Sequence, residues 1–354
     1  MKKNILALIS VLILGTVLTG CASKAKTVAS NPAASQTVKD YDKITIVWYP
    51  NESGENLKET RDELGKIIEK ATGKKVEQKI TTDYSIAIES IANGNAQIAF
   101  MGGQGYVEAN KKNEKILPLV VNAGKSGTLD DAIYHSWLAV KKGNESGYQK
   151  DGKYSIDNIQ GKKMSFVSNS STSGFKVPTA NIISKFSKED NWKDITTEGL
   201  LDGGKDKFFS EVLFGQSHQG SAVNLLTDKA DVAAFCDASV ASYVEVKTGD
   251  ANAVGSVYDI KADAVAPFDA LSGKEYVIIQ STPVLNGPFA VNTEALNQKD
   301  IDKITTVLTS DEVTNNSKIF YTKGKSSGLI EKSGKEHFMK VEDAWYQPIR
   351  DLSK

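Results

Sequence analysis

Lys163-Met-Ser-Phe-Val-Ser-Asn-Ser-Ser-Thr-Ser-Gly-Phe-Lys-Val-Pro178 is the stretch on which the reading of the fold turns. Lys163 to Val167 reads as a strand and Gly174 to Phe186 as a helix, with a run of small polar residues between them. Three successive hydroxyls, Ser171, Thr172 and Ser173, then fall at a helix N-terminus. Unpaired backbone N–H groups point outward there and the helix dipole is positive, so an anion is favoured. Each hydrogen bond to a charged group contributes about 1.5–3 kcal/mol. Three or four would cover much of the roughly 8 kcal/mol that a micromolar complex requires. Ordinary capping needs one Ser or Thr; the longer run and Gly174 favour a binding site.

The chain around this stretch alternates in the same way. Lys43 to Tyr49 is β-branched and aromatic and reads as a buried strand, and Pro50 to Asn56 as a turn. Leu57 to Thr72 carries Leu57, Leu64, Ile67 and Ile68 at helical spacing and stops at Gly73. Val76 to Ile80 is a second strand, Asp83 caps a helix over Tyr84 to Ala92, and Gln97 to Phe100 is a third strand leading into Met101-Gly-Gly-Gln-Gly-Tyr106. Downstream of the hydroxyl run, a helix over Ala222–Thr227 feeds a strand over Asp231–Phe235. Such alternation points to an α/β fold with helices packed on largely parallel sheets. Ala96-Gln-Ile-Ala-Phe100 and Ala230-Asp-Val-Ala-Ala234 are weak echoes, which either mark two lobes built on one plan or any helix feeding a short buried strand.

Ser136 to Lys142 reads as a strand leading away from the first lobe, and Gly143 to Gly161 as a surface excursion. Tyr276 to Ser281 is a strand, Pro283 to Pro288 a loop, Phe289 to Asn292 a strand, and helices follow over 298–309 and Asp311–Phe320. The expected domains are a first lobe of residues 41–140 and 285–354 and a second of 141–284, joined by two hinge crossings.

At the N-terminus, Lys2 and Lys3 precede an apolar run from Ile5 to Leu18 that ends Leu18-Thr-Gly-Cys21. That run suits a signal-peptide core and is short for a permanent span. It resembles the lipobox of bacterial lipoproteins, which implies cleavage after residue 20 and a lipid on Cys21. Residues 21–40 are rich in Ala, Ser, Thr and Lys and read as a flexible tether. Losing residues 1–20 removes two lysines and takes the net charge from −1 to −3, which argues against a nucleic-acid binder. With Cys21 lipidated, Cys236 has no intrachain partner. Arg61 and Arg350 are the only arginines, so an anion site here cannot be an arginine cluster.

Ser171-Thr-Ser-Gly-Phe-Lys-Val-Pro178 resembles the S-T-S-G-x-x-x-P segment of the phosphate/phosphite/phosphonate-type substrate-binding proteins of ABC importers. The likeness continues through Asp83-Tyr84, Gln97-Ile-Ala-Phe-Met-Gly102, Tyr134, Ser217-His218, Asp231-Val-Ala-Ala234 and the Ser281–Pro288 segment. The resemblance implies a two-lobed periplasmic-binding-protein type II fold, each lobe a mixed sheet flanked by helices. It further implies that the Ser171, Thr172 and Ser173 hydroxyls and adjacent amides hold the oxyanion, that Tyr84 and Tyr134 line the cleft, and that His218 adds a donor. Gly102 and Asp237 complete the expected ligand-binding set; Asp237 could accept a proton from a protonated oxyanion.

The Leu285-Asn-Gly-Pro288 loop has no acidic residue and Ala238 follows Asp237, which favours phosphate, phosphite or methylphosphonate over an aminoalkylphosphonate. A receptor for a sulfonate or another small anion remains the alternative within the fold. A secreted lipoprotein hydrolase built on Ser171, His218 and Asp237 is the alternative outside it, although no Gly-x-Ser-x-Gly elbow is present. Gly124-Lys125-Ser126 imitates the end of a P-loop, but Leu119 stands where its first glycine is needed. His135, His218 and His337 show no metal-ligand spacing. The expectation is therefore a monomeric, non-enzymatic receptor without metal or cofactor. It would be anchored by lipid at the outer face of a Gram-positive cell membrane and would deliver a small oxyanion to an ABC permease.

Overall fold

The computed structural model describes residues 41–322 and 328–352. The signal peptide, Cys21 and the tether lie outside the described residues. The body opens with strand β1 (Lys43–Trp48), helix α1 (Lys58–Thr72), strand β2 (Lys75–Ile80), helix α2 (Tyr84–Ala92) and strand β3 (Ile98–Phe100). Helix α3 (Gly103–Lys112) and strands β4 (Ile116–Asn122) and β5 (Ile133–Lys141) follow. In β1 the alternation sends Ile44, Ile46 and Trp48 into one apolar layer and Val47 and Tyr49 into the other. A strand covered on both faces belongs at the centre of a helix-flanked sheet, and β1 indeed pairs parallel with both β2 and β3.

The first sheet has six strands in the order Phe338–Lys340, β4, Phe289–Asn292, β3, β1, β2. Phe289–Asn292 runs antiparallel to β3 and β4, so the sheet is mixed. The second sheet has seven, ordered Val244–Thr248, Val257–Ile260, Glu275–Leu285, β5, Val232–Cys236, Lys163–Phe166, Glu211–Phe214. Two further apolar layers cover its faces, one around Phe166, Phe175 and Phe209, the other around Trp137, Phe235 and Tyr276. Each sheet with its helices is one lobe.

The lobe boundary differs from the sequence reading. Strand β5 does not end the first lobe; it pairs antiparallel with Val232–Cys236 and Glu275–Leu285 in the second. The first crossing therefore lies within 123–132 rather than near 140, and the return within 286–288. Pro283 lies inside a strand, opposite His135, not in a loop. The helix read over Asp311–Phe320 stops at Thr314, with Asn315 at its end and a two-residue strand at Phe320–Tyr321. Of the Met101–Tyr106 segment, which the sequence reading assigns to no element, Gly102 caps helix α3 and Gly103 to Tyr106 form its first turn.

Candidate ligand-binding site

A cavity of about 610 Å³ lies between the lobes, within the range of about 300–1,000 Å³ common for small-molecule sites. Tyr84, Gly102, Tyr134, Ser171, Thr172, Ser173, His218 and Asp237, the eight residues singled out in the sequence, all line it. Sheet ends and helix starts bring them there. Tyr84 is the first residue of α2, and Gly102 caps α3. Ser171 opens a wide π-type turn that runs directly into helix α4 (Val177–Phe186), and His218 begins helix α5 (His218–Leu226). Four helix N-termini thus converge on one cavity, each contributing a partial positive charge.

The hydroxyl run is held by local bonds. Ser171 Oγ accepts from Gly174 N at 3.1 Å, and Lys176 N donates to the Ser171 carbonyl at 2.9 Å, which fixes the turn. Gly174 is required by packing: a Cβ there would meet Val167 Cγ2 at 2.2 Å. The Ser173 carbonyl accepts from Ser136 Oγ at 2.6 Å, whereas Ser173 Oγ is buried with no partner among the described residues. Tyr134 is half-buried at the end of β5; its phenol faces Ser173 and Thr172, and burial holds its pKa well above the ordinary value. Cys236 is buried beside them, and burial pushes its thiol up to about 12, which leaves it unreactive.

The first lobe supplies a different wall. Tyr49, just past β1, stacks on Tyr84 with ring centroids 3.9 Å apart. Asn51 Nδ2 donates to Tyr84 Oη at 2.6 Å, and Asn51 Oδ1 accepts from His218 N at 3.1 Å across the gap. Gln219 Nε2 donates to the Asn51 carbonyl at 3.1 Å, and Thr172 Oγ1 accepts from Gln104 N at 2.9 Å. The lobes therefore meet over the cavity through three hydrogen bonds. Gly102 sits at this meeting, where a Cβ would come within 2.8 Å of Thr172 Oγ1.

His218 is buried, and burial alone lowers its pKa to about 3, so the ring is neutral at physiological pH. Its Nδ1 has no partner among the described residues. Asp237 is partnered elsewhere: Oδ1 accepts from His135 N at 2.8 Å and Ala238 N at 2.7 Å, and Oδ2 lies 3.2 Å from His135 Nδ1. With Ser171 Oγ bonded to Gly174 N, the three residues do not form a Ser–His–Asp relay. Sequence reasoning missed Tyr49, Asn51, Glu52, Gln104 and Gln219. Their only signal is position, just after the first strand or at the start of a helix.

A family model for the periplasmic substrate-binding protein of phosphonate ABC transporters matches residues 46–346. The phosphate-import protein PhnD of Mycolicibacterium smegmatis is 28% identical over 296 residues, covering 80% of this chain and 76% of that protein. A binding-protein component of an ABC phosphonate transporter from Pseudomonas aeruginosa superposes with a TM-score of 0.61 at 18% identity, over 88% of this chain and 86% of the other. PhnD1 from Prochlorococcus marinus, solved with methylphosphonate, also gives 0.61, at 13% identity over 88% and 97%. The chain belongs to the phosphonate-type periplasmic substrate-binding proteins of ABC transporters.

Proposed function

We propose that this receptor captures a small phosphorus oxyanion, such as phosphate, phosphite or an alkylphosphonate, and passes it unaltered to an ABC permease. The observation that carries the reading is the convergence of four helix N-termini on the Ser171–Ser173 hydroxyls in a cavity lined by neither arginine. Partial charges, hydroxyls and amides suit a tetrahedral anion with several acceptor oxygens. Ser173 Oγ and His218 Nδ1, both buried and unpartnered among the described residues, belong to residues that line this space and gain partners when such a guest enters. The cavity is larger than a bare oxyanion needs, which leaves room for an alkyl group. The broken relay between Ser171, His218 and Asp237 supports binding without covalent chemistry. Lipid attachment at Cys21 would hold a monomeric receptor at the membrane surface beside its permease.

The test is calorimetry and thermal unfolding with phosphate, phosphite, methylphosphonate, aminoethylphosphonate and alkylsulfonates. A phosphorus oxyanion is expected to raise the melting temperature and be recovered intact. A response to sulfonates alone, or release of a product, would overturn the reading. Thr172→Ala is expected to weaken binding at least several-fold, because its hydroxyl serves both the cradle and the bond to Gln104 N. The accompanying loss of fold stability should be about 1 kcal/mol.

A further inference from the structure

Among the carboxyl side chains that line the cavity, Asp237 and Glu52 are treated differently. Asp237 has donors on both oxygens. Glu52 is only 8% exposed, yet its Oε2 has no hydrogen-bond partner among the described residues. The nearby cation does not serve it: Arg61 donates to the backbone carbonyl of Glu52 and, at 3.4 Å, to that of Gly54. The titratable groups recorded around it are Tyr49 beyond β1, Arg61 of α1 and Tyr84 of α2, and His218 of α5 lines the same cavity from the second lobe. Both tyrosines and the histidine are uncharged at physiological pH.

An ionised carboxylate here would be a buried charge short of donors, next to the place where an anion is to bind. Burial accordingly raises the Glu52 pKa to about 8, against the opposing pull of its own backbone N–H, of Arg61 and of the Tyr49 backbone. A neutral carboxylic acid, by contrast, carries one O–H donor, and on Oε2 that donor has no acceptor among the described residues.

We propose that Glu52 is a specificity-determining residue that enters the complex as a neutral acid and donates its hydrogen to the bound oxyanion, so that capture is coupled to one proton. This rests on the oxyanion reading of the cavity. Anion binding opposes ionisation of Glu52, so the complex holds its proton to higher pH than the free protein does. Affinity is therefore full below about pH 8 and declines above it.

The experiment is titration calorimetry of the full chain with methylphosphonate between pH 6.5 and 9.5, comparing the wild type with Glu52→Gln. Titration of the ligand itself is common to both proteins and cancels in the ratio of affinities. That ratio, wild type over variant, is expected to fall about tenfold per pH unit above 8. At pH 9 the wild type should also take up about one more proton on binding than the variant, read in buffers of different ionisation enthalpy. Parallel pH profiles with intact binding would overturn the role of Glu52 and leave the receptor reading standing. A wild-type preference for aminoethylphosphonate over methylphosphonate that Glu52→Gln abolishes would also overturn it, by showing an ionised Glu52 paired with an ammonium. Absence of binding to any phosphorus oxyanion at every pH would overturn both. Should the variant fail to fold, infrared spectra of the wild type at pH 7 decide: a protonated-carboxyl band that shifts with methylphosphonate supports the proposal, and no such band overturns it.

Discussion

The two walls of the cavity are built on different principles. The wall from the second lobe, Ser171 to Gly174, is a continuous backbone turn fixed by local bonds, Gly174 N to Ser171 Oγ and Lys176 N to the Ser171 carbonyl. The wall from the first lobe, Tyr49 to Glu52 with Tyr84, consists of stacked rings and buried side chains, and Asn51 in it is bonded to the second lobe. The first kind of wall is organised before a ligand arrives. The second holds polar groups out of water, and its energetics consequently depend on protonation and on the two lobes staying together.

The most forceful way to probe that contrast is at Glu52 in the ligand-free protein. Its proton is released near pH 4.5 in the unfolded chain but near 8 in the folded one. Between those values the folded state binds one more proton, so this group lowers stability as pH rises, by about 1.4 kcal/mol per pH unit. Glu52→Gln removes that slope. In chemical denaturation the variant is expected to match the wild type near pH 4.5 and to exceed it by an amount that grows up to pH 8. A constant difference would show that burial of the acid does not govern this wall.

Next in size is Gly174→Ala in the opposite wall. The added methyl group would press into Val167, and overpacking of this kind costs about 1–3 kcal/mol. The variant should unfold at lower temperature and gain no stabilisation from phosphorus oxyanions, because the turn that aims the hydroxyls is displaced. Full binding would mean the cradle is not preorganised. The smallest effect is expected from Tyr84→Phe, which keeps the stack on Tyr49 and removes the hydroxyl that Asn51 and Ser171 contact. A loss of about 1 kcal/mol in stability is expected, measured by denaturant unfolding. A much larger loss would mean that the first wall depends on that hydroxyl more than on ring packing.

The same contrast explains what the sequence revealed. The hydroxyl run was legible because capping is local: Ser171 bonds to a residue three positions away. The strand β1 and helix α2 were legible from alternation and from Asp83, whose carboxylate accepts from Ser85 N at 2.7 Å. Asn51 read as part of an ordinary polar turn because its partners His218 and Gln219 lie 167 and 168 positions away. The affiliation of β5 was hidden for the same reason. Its residues signal a strand, but only its partners, Val232–Cys236 and Glu275–Leu285, determine which sheet it joins. The break after Thr314 is a smaller miss, where Asn315 and Asn316 end a helix that hydrophobic spacing alone would have continued.

The convergence of helix starts has one more consequence. Of the lining residues, Lys125 on the first crossing is the cation; around the hydroxyl turn the positive character is fractional and spread over N–H groups. Such fields fade within about a turn of helix, whereas full charges reach about a Debye length into the solvent. The helix starts therefore do not draw the cargo in from a distance. Selection happens on contact, oxygen by oxygen, which suits an envelope where chloride and other simple anions outnumber the one worth keeping.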